Sequence, residues 1–322
     1  MSLELLLYLL GGIALLLLLL AVFSRRTARR IEAVLPPGGS FVKVEGVRLH
    51  VRDEGRGPAL LMIHGLGGQM GHFHYDALRA LSKRYRVVTV DRPGSGYSTR
   101  PDGVPADLST QARALAALIA ELGLEHPTVV GHSLGGATAL TLALEHPGRV
   151  GALALVAPLT HAPQQVPPAF RALTIETAWL QRLFAATLAL PLGIVASKGV
   201  LKEVFGPEQA PADFATRGGG LLGLRPGQFL ASSADLQALA GHMPGLERRY
   251  ADLAALRIPL HILFGRDDRI LDWRANGQAL ADKVAGARLE LVEGGHMLPV
   301  TQPERTARFI EDVAATRLAR TG

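Results

Sequence analysis

A serine flanked by glycines is the residue of this sequence best placed to do chemistry. The segment GHSLG at residues 131–135 follows a short apolar run, PTVVGH, and runs into ATALTLALEH, which has the composition of a helix. A serine on a sharp strand-to-helix turn needs neighbours without side chains, and the helix N-terminus behind it favours developing negative charge. The pattern therefore predicts Ser133 as a nucleophile, with a glycine-rich turn of no function as the alternative.

A serine hydroxyl is a weak nucleophile unless a base takes its proton. Of the 11 histidines, His296 lies in the segment GGHM after the last predicted strand, where such a base would emerge. The acid that orients the base is expected after the preceding strand, where LFGRDDRIL offers Asp267 and Asp268. A turn that points Asp268 inward and leaves Asp267 in solvent favours Asp268, and Asp267 stays as the alternative.

Acyl chemistry at a serine also needs two backbone N–H donors for the oxyanion. One is expected at Leu134, directly after the nucleophile. The other is expected at Leu66, within the glycine-rich segment HGLGG that follows the first buried strand. His72 and His74 lie close to that segment and are candidates for contact with a ligand.

The elements that position these residues are short apolar strands alternating with helices. The runs ALLMIH, RVVTVD, PTVVGHS, ALALVAP, LHILFG and ARLELVE predict a mostly parallel sheet with helices on both faces, preceded by a hairpin around Glu45-Gly46. The alternation stops between residues 160 and 250, which are apolar and helix-like and too long for an ordinary loop. The expected domains are a hydrolytic core over 41–159 and 251–322, and an inserted helical lid over 160–250.

The N-terminus carries a different signal. Residues 5–23 are 19 uncharged, apolar residues, about 29 Å as a helix, which is close to the hydrocarbon thickness of a bilayer. We expect residues 1–24 to be a transmembrane anchor and 25–40 a linker. A cleaved signal peptide is disfavoured because no basic residue precedes the run, and a buried core helix because the run is uniformly Leu-rich. The arginines of SRRTARR predict a single-pass protein with a cytoplasmic catalytic domain.

Composition excludes several other classes. The net charge is +6, but half of it lies in residues 1–30 and no long basic run follows, so nucleic-acid binding is not expected. Cysteine is absent, which removes disulfides and thiol chemistry. The histidines lack metal-ligand spacing, so neither a metal nor a cofactor is expected.

Taken together, HGLGG, DRPGSGYS, GHSLGG, FGRDD and GGH, in this order, resemble the α/β-hydrolase superfamily over about residues 41–318. The resemblance implies Ser133 as nucleophile, Asp268 as acid, His296 as base, and Leu66 and Leu134 as oxyanion donors. An anchored hydrolase with a lid is also similar in layout to membrane-bound monoacylglycerol lipases.

The expected function is hydrolysis of carboxylic esters through an acyl-enzyme. The apolar lid beside a membrane favours small-molecule esters with hydrophobic, lipid-like acyl groups, and membrane lipid is the expected partner of the N-terminal helix. Two alternatives stay open. The same three groups could serve C–C bond, amide or perhydrolase chemistry, or the fold could be a non-catalytic binding protein.

Overall fold

A computed structural model describes residues 2–163 and 165–321, with side chains through residue 319. Its centre is an eight-stranded sheet in the order β1-β2-β4-β3-β5-β6-β7-β8. The first two strands form an antiparallel hairpin, β2 pairs antiparallel with β4, and all later pairings are parallel. The strands are β1 (Ser40–Val44), β2 (Val47–Glu54), β3 (Ala59–Ile63), β4 (Arg86–Val90), β5 (Thr128–His132), β6 (Ala152–Val156), β7 (Leu260–Gly265) and β8 (Arg288–Val292).

Helices cover both faces of this sheet, which confirms the predicted α/β architecture. The helices of the described chain are α1 (Leu3–Val34), α2 (Asp76–Ala80), α3 (Leu108–Glu121), α4 (Leu134–Glu145), α5 (Ala178–Thr187), α6 (Ala189–Phe205), α7 (Pro226–Arg248), α8 (Ala279–Lys283), α9 (Leu298–Thr301) and α10 (Pro303–Thr321). Between β6 and β7 the chain forms a helical insertion, residues 157–259, that contains α5, α6 and α7.

The core follows from the side-chain alternation of the strands. In β3, Leu61 and Ile63 are buried in the cluster that contains α3 and α4, whereas Leu60 and Met62 are buried in the cluster that contains α10. Strands buried on both faces explain why the sequence shows continuous apolar runs there rather than alternation. Loops at the carboxyl ends of these parallel strands share one edge of the sheet, and that edge holds the candidate site.

The predicted hairpin around Glu45-Gly46 is confirmed, whereas the segment after β3 differs from the structure that its sequence predicts. Glu45 and Gly46 both have positive φ, +47° and +77°, as a two-residue turn of the type that suits the twist of a hairpin. The helix-like sequence pattern near Gln69 to Arg84 predicts a helix there. The chain instead forms a 3₁₀ turn at Met70–Phe73, the short α2, and a second 3₁₀ turn at Leu81–Lys83.

The N-terminal helix is longer than the apolar run that predicts it. It has a mean hydropathy of 2.9 over its most apolar window and is the one described helix that alone is long and apolar enough to cross a membrane. The linker expected over 25–40 is wrong in its first part, because the helix continues to Val34. Contacts with the insertion hold this extension, since Ser24 Oγ donates to the Thr187 carbonyl at 3.1 Å and Ile31 is buried.

Candidate active site

Ser133 occupies a strained turn between β5 and α4. Its φ of +56° and ψ of −123° define a backbone conformation that a residue with a side chain seldom adopts. The turn is held from both sides, because the Ser133 N–H donates to the Val156 carbonyl and the Ser133 carbonyl accepts from Gly136 and Leu159. The side chain is thereby fixed at the start of a 12-residue helix and lines the main cavity of the molecule.

Two glycines make this turn possible by close approach of backbone to backbone. A Cβ on Gly135 would lie 2.2 Å from the Ile63 carbonyl oxygen, and a Cβ on Gly131 would lie 2.5 Å from the Gly135 carbonyl oxygen. Neither neighbour is a flexible side chain that could move aside. The clearance that the sequence predicts around the nucleophile is therefore a steric requirement of the packing of α4 against β3 and β5.

The structure brings Asp268 and His296 together from two neighbouring loops. His296 Nδ1 lies 2.7 Å from Asp268 Oδ2, and the other carboxylate oxygen accepts from the backbone N–H groups of Ile270 and Leu271. Both side chains are buried. Asp267 is exposed and approaches the opposite side of the loop, where Gly294 N–H lies 3.4 Å from its carboxylate. The pairing thus favours Asp268 over Asp267 as the group that orients the imidazole.

The loop that carries His296 is anchored at several points. His132 Nε2 lies 3.0 Å from the His296 carbonyl, and the Gly295 N–H donates to the Glu208 carboxylate at 2.9 Å. Glu208 belongs to the helical insertion, so this hydrogen bond ties the insertion to the histidine loop. His296 and Ser133 line the same cavity.

Two backbone N–H groups next to Ser133 have no acceptor in the part of the chain that the structure describes. They belong to Leu134, the first residue of α4, and to Leu66, in the loop after β3. Both residues line the cavity with Ser133. The Leu66 loop passes close to the nucleophile, because a Cβ on Gly65 would lie 3.2 Å from the Ser133 hydroxyl oxygen. Unpaired N–H groups in this position can stabilise negative charge on a substrate oxygen.

A fully buried arginine supports the Leu66 loop from behind. Arg92 Nε donates to the His64 carbonyl at 3.0 Å and Arg92 Nη2 donates to the Gly65 carbonyl at 3.1 Å. Its charge is balanced by Asp235 of α7, which accepts from Arg92 at 2.8 Å and from Arg100 at 2.8 Å. One helix of the insertion is therefore ion-paired to the residue that holds the loop.

Burial favours the neutral form of three histidines around the site, His64, His72 and His132. Burial lowers the pKa of His72 to about 4, and the pKa of His64 and of His132 well below the ordinary value, with the Arg92 charge adding to the effect at His64. His64 Nδ1 lies 2.8 Å from the Gly65 carbonyl, and its Nε2 accepts from the Arg92 N–H. Of the two histidines predicted as candidates for ligand contact, His72 lines the cavity, whereas His74 lies near Thr89.

The cavity is large, and its lining is apolar apart from a few neutral polar groups. Its volume is about 790 Å³, and no Arg, Lys, Asp or Glu is among the described residues that line it. The α1 helix contributes Thr27 and Ile31 to the wall. The insertion contributes mainly large apolar side chains, among them Phe170, Ile194, Val200, Leu201, Val204, Phe214, Leu221 and Leu224. Among the described residues, no group of three or more His, Asp or Glu could hold a metal ion.

Two supporting residues were not identified from the sequence. Arg92 lies inside DRPGSGYS, but its burial depends on Asp235, which is 143 positions away in the chain. Glu208 gives no sequence signal, because it resembles any exposed acid that follows a helix. Asp91, in the same segment as Arg92, accepts from the backbone N–H groups of Met70 and Tyr97 and lies 2.7 Å from His50 Nδ1.

Comparison with known proteins finds similarity to hydrolases. The sequence model of the family described as alpha/beta hydrolase fold matches residues 58–303. A 2-hydroxymuconate semialdehyde hydrolase of Pseudomonas putida is 30% identical over 87% of this chain and 95% of its own. The crystal structure of a membrane phospholipase A, 24% identical, superposes over 98% of this chain and 97% of its own with a TM-score of 0.65. A thermophilic esterase from Thermogutta terrifontis, 21% identical, superposes over 87% of this chain and 99% of its own with a TM-score of 0.68.

Proposed function

Because the chain belongs to the α/β-hydrolase family, we propose that it is a serine hydrolase of carboxylic esters with hydrophobic, lipid-like acyl groups, anchored to a membrane by α1. The observation that carries the proposal is the cavity in which Ser133, His296, Leu66 and Leu134 meet among uncharged residues. A neutral ester with an apolar chain matches that lining, because burying a charged substrate there would leave its charge without a partner.

In the proposed reaction His296 accepts the proton of Ser133 as the hydroxyl oxygen attacks the ester carbonyl carbon. The N–H groups of Leu66 and Leu134 stabilise the resulting oxyanion. As the tetrahedral intermediate collapses, the bond to the alcohol oxygen breaks and His296 returns the proton to the leaving alcohol. Water then attacks the Ser133 ester with His296 as base, and collapse releases the carboxylic acid and the free serine. Asp268 holds the imidazole in the required tautomer throughout.

The membrane setting supports a lipid-like substrate. The apolar run of α1 ends at Phe23, and the same helix lines the cavity with Thr27 and Ile31, about one to two turns further along. The cavity is therefore close to the boundary of the span. A membrane phospholipase A has a similar fold over nearly the whole length of this chain, which supports the proposal. The arginines that follow Phe23 support a cytoplasmic catalytic domain, because basic flanks tend to stay on the cytoplasmic side.

A second candidate is hydrolysis of a C–C bond, because a relative at 30% identity is a 2-hydroxymuconate semialdehyde hydrolase. A muconate-type substrate carries a carboxylate, however, and the described lining offers no Arg or Lys to pair with it. The uncharged lining therefore favours the ester.

A chain-length series of p-nitrophenyl esters tests the proposal on detergent-solubilised protein, with Ser133→Ala as the control. We expect kcat/KM to rise from acetate to medium and long acyl chains, and Ser133→Ala to lose roughly 10⁴-fold or more of the rate. Cleavage of the C–C bond of 2-hydroxymuconate semialdehyde, without turnover of any ester, would favour the second candidate. If no substrate is turned over and a fluorophosphonate does not label Ser133, both candidate functions are contradicted.

A further inference from the structure

The helical insertion leaves an unusual number of large apolar side chains on the surface. Trp179 is 68% exposed and Val195 is 81% exposed, and four neighbours on the same two helices are also exposed. Single exposed apolar residues are normal, but a group of this size on two consecutive helices marks a binding surface. We refer to these side chains as the α5–α6 surface; they are Trp179, Leu180, Leu183, Leu192, Ile194 and Val195.

The α5–α6 surface belongs to the elements that contact the membrane helix. Both α5 and α6 pack against α1, and the Ser24 hydroxyl donates to the carbonyl of Thr187 at the end of α5. Ser24 directly follows Phe23, the last residue of the apolar run. Leu17 and Leu20 of that run are partly covered, and they continue the stripe of α1 that includes the buried Ser24. The insertion therefore meets α1 at the end of its span.

The two helices are sharply bent relative to each other. They contain 10 and 17 residues and meet at an angle of 74°, so they cannot cross a bilayer as one straight helix. They have the features of helices that lie in a membrane interface, with an exposed apolar surface and exposed cations at Arg182, Lys198 and Lys202. Cations in this position attract anionic lipid headgroups, as do the arginines of α1.

We propose that the α5–α6 surface inserts into the leaflet through which α1 leaves the bilayer, and that its occupant is the headgroup and upper acyl-chain region of the lipid. The inference rests on the proposed anchoring by α1. Lipid is favoured over a second copy of the chain because the surface adjoins the span and carries cations next to its apolar residues. Ile194 is 43% exposed and also lines the catalytic cavity, so lipid at this surface would contact a residue of the cavity wall.

Single-cysteine labelling tests the inference cleanly, because the chain contains no cysteine of its own. The full chain carrying Val195→Cys, labelled with an environment-sensitive fluorophore, is reconstituted into phosphatidylcholine–phosphatidylglycerol vesicles that contain a lipid with a doxyl quencher near the headgroup end of its acyl chain. Leu10→Cys, inside the apolar run, is the positive control. Glu125→Cys is the negative control, because Glu125 is exposed and precedes β5, at the end of the strand opposite the candidate site.

We expect the label at residue 195 to lose most of its fluorescence, as the label at residue 10 does, and the label at residue 125 to lose none. Quenching at residue 10 without quenching at residue 195 would overturn the inference and leave the anchoring intact. Absence of quenching at both positions would overturn the anchoring as well. A shift at residue 195 that depends on protein concentration rather than on the quencher would assign the surface to a second copy and also overturn the inference.

An activity measurement separates this surface from the catalytic chemistry. The double variant Trp179→Ser, Val195→Ser replaces the two most exposed side chains of the α5–α6 surface. Neither side chain lines the cavity. We expect hydrolysis of a long-chain ester embedded in vesicles to fall several-fold, with hydrolysis of a water-soluble butyrate ester unchanged. Unchanged hydrolysis of both would contradict the inference, and loss of the soluble-ester activity would indicate damage to the site itself.

Discussion

At the scale of single residues, the geometry around His296 assigns different roles to two adjacent acids. Asp268 uses both oxygens, one toward the imidazole and one toward two backbone N–H groups, so its orientation is fixed. The Asp267 side chain is exposed, and its carboxylate accepts from the Gly294 N–H at the long distance of 3.4 Å. A carboxylate that accepts from Nδ1–H keeps Nε2 free to take the proton of the nucleophile.

We therefore predict that Asp268→Asn lowers kcat for a soluble ester by about 10⁴-fold with little change in KM, because an amide N–H toward the imidazole selects the wrong tautomer. The matched variant Asp267→Asn should change kcat less than about twofold, as a substitution away from the reacting groups. Steady-state kinetics on both variants, with thermal unfolding as a check of folding, provides the measurement. Equal losses in the two variants would reject the assignment.

The candidate nucleophile, acid and base could be located from the sequence because their positions are fixed locally. Ser133, Asp268 and His296 each follow a strand that the apolar pattern identifies, and parallel strands bring their carboxyl ends to one edge. Arg92 and Glu208 could not be predicted, because their partners are distant in the chain and their burial is a property of tertiary packing. Local patterns thus locate the reacting groups better than the residues that hold them.

At the scale of elements, the insertion is fastened to the core by a buried ion pair. Asp235 on α7 is completely buried, as is Arg92, and Arg100 is nearly so. Arg92 in turn donates to the carbonyls of His64 and Gly65, in the loop that carries Leu66. Because Asp235 of α7 is ion-paired to this arginine, we expect movement of α7 to displace the loop that carries Leu66.

Asp235→Asn should destabilise the protein by about 3 kcal/mol, because it leaves the charge of Arg92 buried with only Gln111 and carbonyl partners. For the roughly 300 residues that follow the apolar run, this corresponds to a fall in Tm of about 5 °C. We also expect kcat to fall at temperatures where the variant is fully folded, because the loop loses its support. Thermal unfolding and soluble-ester kinetics measure both effects.

The control for this substitution is Asp213→Asn, in the same insertion. Asp213 is 46% exposed and lies 3.8 Å from Arg217, an arrangement that contributes little to stability in water. Its Tm should stay within about 1 °C of the parent, since such a surface change is within about 0.5 kcal/mol. A parent-like Tm and kcat in Asp235→Asn would show that α7 and the Leu66 loop are not coupled through this pair.

At the scale of the whole molecule, α1 belongs to two environments at once. Its first part is exposed and apolar, whereas its last part is folded onto the catalytic domain through Ser24, Ile31 and the ion pair of Glu32 with Arg225. The hydroxyl of Tyr97 also donates to the carbonyl of Leu35, just beyond the helix. Hydropathy identified the first part, but contacts of this kind depend on the folded domain, which is why the sequence predicted a linker where the structure has a helix.

Two truncations distinguish an anchor joined by a linker from an anchor that is built into the domain. A chain that begins at Phe23 keeps every contact of Ser24, Ile31 and Glu32, and we expect it to retain the soluble-ester kcat/KM of the full chain within about twofold, as changes outside the site do. A chain that begins at Pro36 loses the burial of Ile31, worth about 1.5–3 kcal/mol, and one wall of the cavity. We expect this shorter chain to show a lower Tm and a weakened preference for long acyl chains, measured by thermal unfolding and the p-nitrophenyl ester series. Were both truncated chains to match the full chain in Tm and in acyl preference, residues 24–35 would be a simple tether and the cavity would be complete without them.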